Sequence, residues 1–127
     1  IRLAPGDAWL VSLPLYHVAG LAILFRCFTS GATVVLRDMK LSLGECLRRD
    51  HVSHVSLVAT QLGRLLTEGE TVPDSLREVL LGGGFIPPGL ITSAIRAGYP
   101  LRTTYGSSEM ASQVATSKRF TDVRGTY

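Results

Sequence analysis

Cysteine is scarce in this 127-residue chain: only Cys27 and Cys46 occur, with no Cys-x-x-Cys spacing. Two isolated thiols make no disulfide framework and read as reduced residues of a cytoplasmic protein. Runs of one charge are missing as well. Thirteen Lys and Arg against ten Asp and Glu leave a net charge of +3, and the basic residues are scattered without interleaved aromatics. That distribution gives little support to nucleic-acid binding. Long apolar runs are absent too: AWLVSLPLYHVAGLAILF is interrupted by Pro14 and His17. Each half falls far short of the ~20 residues a membrane span needs. No basic segment followed by an apolar stretch and cleavage site opens the chain. It lacks an initiator Met and stops at VRGTY without an obvious cap, so we read residues 1–127 as one subdomain of a longer protein.

What is present suits a single packed domain: 46% apolar and 18% charged residues. Short apolar or β-branched runs at 8–13, 32–36, 54–58, 77–81 and 101–105 read as strands. Helical stretches fall between them at 18–28, 42–50, 59–69 and 87–98. Gly31 stands where the first helix should be capped, and Ser42 with Glu45 has capping-box spacing. Prolines open the fourth helix and Gly98 closes it. Alternating strands and helices, with strands read as continuous apolar runs, predict an α/β fold: a mainly parallel sheet flanked by helices on both faces.

In such sheets ligands bind beyond the carboxyl ends of the strands. Three segments occupy those places. PLYHVAG sets His17 at a strand-to-helix junction, where an imidazole either faces a cleft or packs at the helix start. Arg26 interrupts an apolar helix, so it snorkels to water or pairs with an anion. If the helix began at His17, nine residues at about 100° each would separate the two side chains. They share a pocket only if His17 precedes the helix. LLGGGFIPPG brings Gly82, Gly83 and Gly84, where a ring or phosphate can approach the backbone, or where the chain merely bends. TTYGSSEMASQ offers Tyr105 for stacking, Gly106 for a sharp turn, hydroxyls at Ser107 and Ser108, and Glu109 as a hard oxygen ligand. It equally fits a serine turn capping a following helix. His51 and His54 lack further ligands at zinc-like spacing, so no metal site is expected there.

The order LPLYHVAG, LLGGG, TTYGSSEMASQ resembles the middle of the adenylate-forming, AMP-binding superfamily. Flanking details (SLPLYHVAGLAIL, HVSLVATQL, EMASQVAT) are most similar to its o-succinylbenzoate–CoA ligases of menaquinone biosynthesis. The resemblance covers nearly the whole chain. It implies a two-step ligase using ATP, Mg²⁺ and CoA, in which a small carboxylic acid becomes an acyl-adenylate and then a thioester. It also implies roles by position. Tyr105 would stack on adenine, and Gly82, Gly83 and Gly84 would line the adenine and acyl groove beside Gly106. Ser108 would bond the α-phosphate and Glu109 would hold Mg²⁺. His17 would border the acyl site, with Gly83, Ser112 and Gln113 nearby and Arg26 a partner for a second carboxylate. Two positions depart from the pattern: Ser108 replaces the usual threonine, and Phe85 stands where a smaller residue or proline is commoner. The upstream phosphate loop, the ribose-binding aspartate and the C-terminal lysine are not in this sequence, which predicts that the chain alone is inactive. Oligomeric state is left open, a homodimer included.

Overall fold

The computed structural model describes residues 1–120. Six strands form one sheet among these residues: β1 (Ala8–Val11), β2 (Thr33–Leu36), β3 (His54–Leu57), β4 (Glu78–Leu81), β5 (Leu101–Ser107) and β6 (Ser112–Thr116). Helices α1 (Val18–Ser30), α2 (Leu43–Arg49), α3 (Ala59–Thr67) and α4 (Pro88–Arg96) connect the first five. The order across the sheet is β2-β1-β3-β4-β5-β6. Its first five strands pair in parallel, and β6 returns antiparallel to β5. None of the helices among the described residues is long and apolar enough to cross a membrane.

Local chemistry sets the helix ends. Gly31 closes α1 at φ +72°, a conformation that costs glycine little. At α2 the capping box forms: the Glu45 amide donates to Ser42 Oγ at 3.1 Å, and the Ser42 amide donates to the Glu45 carboxylate at 2.7 Å.

Strand alternation divides the core. Leu10, Val55, Leu57, Val79, Leu81 and Leu101 pack against α2, α3 and α4. Trp9 and Leu80 point the other way, against Ile23 and Cys27 of α1. Helices therefore cover both faces, as expected. The strands are not apolar throughout, however. On the α1 side β3, β4 and β5 present His54, Ser56, Glu78, Arg102 and Thr104, in register with Trp9 and Leu80. Glu78 is buried there and pairs with Arg102 Nε and, at 2.9 Å, with Arg119. That half-polar face leaves room for a cleft beside α1.

The last expected strand differs most. Rather than ending at Tyr105, β5 runs through Gly106 to Ser107, turns, and pairs back as β6. The serines sit in a hairpin rather than at a helix start. A register shift between Tyr105 and Gly106 accommodates the reversal.

Candidate functional site

The carboxyl ends of β1, β3, β4 and β5 and the first turns of α1 and α3 surround a cleft of about 610 Å³. His17 is the N-cap of α1, in extended conformation at φ −97°, ψ 145°, so it precedes the helix. Its side chain caps nothing, which leaves the imidazole exposed on the cleft wall. Arg26, more than two turns further, reaches the same cleft. Both therefore share one pocket, the arrangement that depended on His17 standing outside the helix. Arg26 does not snorkel to open water. Its guanidinium lies 5.5 Å from the centre of the Trp9 ring and donates from Nη2 to Gln113 Oε1 at 2.8 Å. Half-burial lowers its pKa from the ordinary value, opposed by the neighbouring Cys27.

The glycines serve close approach. A Cβ at Gly82 would overlap the Thr104 hydroxyl, and Gly83 holds φ +84°. Both line the cleft, while Gly84 lies off its wall in open space. On the hairpin, a Cβ at Gly106 would overlap the Ser112 carbonyl, so the two strands cross there only because position 106 has no side chain. Gly106, Ser107, Ser108, Ser112 and Gln113 face the cleft. Tyr105 and Glu109 do not line it: Tyr105 is 73% exposed, one residue out of phase with Thr104 and Gly106. Glu109 is at the hairpin tip, where its own backbone amide and the Ser107 hydroxyl hold its carboxyl below the usual range.

The structure thus gathers His17, Arg26, Gly82, Gly83 and the hairpin hydroxyls, and leaves Gly84, Tyr105 and Glu109 off the cleft wall. Sequence reasoning missed Trp9, Thr104 and Gln61. Trp9 was legible only as core. Thr104 follows from strand parity once β4 and β5 are aligned. Gln61 is committed to structure, donating to the Ser12 carbonyl at 2.9 Å and accepting from the Val58 amide at 3.0 Å. His51 is exposed, whereas His54 is buried beside Trp9 with Nδ1 2.8 Å from Ser53 Oγ. Among the described residues no group of three or more His, Cys, Asp or Glu is placed to hold a metal ion.

An open, mainly parallel sheet with a glycine-lined, hydroxyl-rich cleft beyond its strand ends is the arrangement in which α/β proteins place their ligand sites. The family model for the AMP-binding enzyme matches residues 1–126, and the chain belongs to that family. It is 39% identical to the 2-succinylbenzoate–CoA ligase of Bacillus pumilus over 117 residues, 90% of this chain and 24% of that protein. It is 40% identical to the corresponding ligase of Bacillus subtilis over 113 residues, 87% and 23% of the two. The chain spans about a quarter of the length of these curated relatives. Among solved structures it resembles the Bacillus subtilis o-succinylbenzoate coenzyme A synthetase in complex with ATP and magnesium ion. That match has a TM-score of 0.83 at 37% identity, covering 91% of this chain and 25% of that one. The Escherichia coli enzyme with a bound phenylether-linked analogue matches at TM-score 0.82 and 40% identity, over 91% and 25%.

Proposed function

We propose that this chain is the central part of the N-terminal domain of a cytoplasmic, Mg²⁺-dependent o-succinylbenzoate–CoA ligase. The observation that carries the reading is the convergence of three strand-end segments, PLYHVAG, LLGGG and the TTYGSSEMASQ hairpin, on one cleft. Two unbridged, buried cysteines fit a reducing compartment.

In the first half-reaction a carboxylate oxygen of the acid attacks the α-phosphorus of ATP and pyrophosphate leaves. In the second, the CoA thiol displaces AMP from the acyl-adenylate. The residues here bind and orient rather than react covalently, so their contribution is positioning and charge stabilisation. Gly82 and Gly83 give a planar base and the acyl chain access to bare backbone. The exposed Tyr105 ring meets the base from the cleft edge. Ser108 donates to an α-phosphate oxygen, a contact that strengthens as charge develops there. Arg26, with donors beyond the one used on Gln113, holds the second carboxylate of the acid while the first reacts. His17, Ser112 and Gln113 complete the acyl wall.

Glu109 suits Mg²⁺, which is usually held by one or two carboxylates with substrate phosphates and water filling its remaining positions. An exposed glutamate carboxyl is ionised at neutral pH. When bound, the ion neutralises phosphate charge.

The test is trapping of the acyl-adenylate as a hydroxamate by the full-length protein, with ATP and a panel of aryl, fatty and dicarboxylic acids. We expect o-succinylbenzoate to give the highest kcat/KM. A preference for a fatty or simple aryl acid would assign the protein to a different ligase of the family, and no product with any acid would leave a non-catalytic nucleotide-binding module. The isolated chain should stay at background in the same assay.

A further inference from the structure

Arg26 is held from two sides by residues of different elements. Trp9 of β1 lies beneath the guanidinium at 5.5 Å, and the Gln113 side chain of β6 accepts from Nη2 at 2.8 Å. Trp9 is fully buried, and its indole Nε1 has no hydrogen-bond partner. Its ring is thus fixed by packing against Ile23, Cys27 and Leu80. A flexible arginine has many rotamers, and an unanchored one would lose much entropy on binding an anion. Here that ordering is already done before substrate arrives. The Gln113 amide is neutral, so it orients the fork without cancelling its charge. Gln113 also belongs to the strand that returns from the Ser108–Glu109 turn, which ties the acyl wall to the phosphate end of the cleft.

From this geometry we infer that Gln113 and Trp9 are positioning residues that preorganise Arg26, and that Gln113 thereby determines selectivity for acids carrying a second carboxylate. The inference rests on the ligase reading for the identity of the acid, but not for the pairing itself. Losing a hydrogen bond to a charged group is worth roughly tenfold in affinity. Gln113→Ala should therefore lower, by about tenfold, the preference for o-succinylbenzoate over its analogue lacking the second carboxylate. Gln113→Glu should lower it further, because the introduced carboxylate occupies the guanidinium. Trp9→Phe keeps an aromatic face and should lower it less than Gln113→Ala.

The experiment is calorimetric titration of the full-length protein with both acids, without ATP, for the wild type, Gln113→Ala, Gln113→Glu and Trp9→Phe. Arg26→Gln is included with and without Gln113→Ala. The inference predicts a fall in the affinity ratio and no further fall when Gln113→Ala is added to Arg26→Gln. An unchanged ratio, an additive double variant, or a wild type that binds neither acid would overturn it. Adenylate formation with an unmoved ratio sinks the inference alone. A changed ratio with no adenylate formed sinks the ligase reading alone.

Discussion

A single methyl group at position 106 would run into the Ser112 carbonyl oxygen, and the hairpin could not close around it. We therefore expect Gly106→Ala to cost about 1–3 kcal/mol in chemical denaturation, the range for overpacking a rigid site. His54 carries a different signature. Burial pushes its pKa below the ordinary 6.5, against the opposing pull of the Arg2 backbone and Glu78. The unfolded chain then takes up a proton that the folded one refuses, so stability falls as pH drops below about 6.5. It levels off once the folded-state pKa is passed. Thermal midpoints measured from pH 7.5 to pH 5 should decline, and His54→Gln should flatten that decline. An identical slope in the variant would remove His54 as the cause.

At the scale of elements, the four helices and the first five strands were legible in the sequence because their signals are local. Ser42 and Glu45 sit three apart and form the box their spacing predicts. Gly31 stops α1 where a left-handed residue is needed. The hairpin was not legible. Its reversal depends on Gly106 passing against Ser112 and on Ala111 and Ser112 at φ +53° and +97°, which no residue propensity announces. The polar face of β3–β5 was hidden for a related reason. Glu78 and Arg102 meet through strand register, and Arg119 reaches Glu78 from 41 residues away. Glu78 is buried while its arginine partners are part-exposed and can take up water, so Glu78→Ala should destabilise by about 1–3 kcal/mol. Glu78→Ala that denatures like the wild type would show the network to be energetically idle.

For the molecule as a whole, the sheet explains why three weak sequence signals belong together. Parallel strands put β1, β4 and β5 ends on one edge, so segments far apart in sequence share one cleft. Periodicity revealed the edge; it did not reveal that Tyr105 and Glu109 stand off the cleft wall, because Glu109 is placed by a hairpin that no residue propensity announces and Tyr105 by its being out of phase with Thr104 and Gly106. We propose that this cleft receives an acyl-adenylate. The most direct test is an amide-resolved titration of the full-length protein with a hydrolysis-resistant analogue of the o-succinylbenzoyl adenylate. Binding in the cleft should displace signals at Gly83, Tyr105, Ser108 and Gln113 and leave Glu78 and Arg119 unmoved. Unmoved signals around the cleft, or displacement confined to the Glu78 end of the strands, would contradict it.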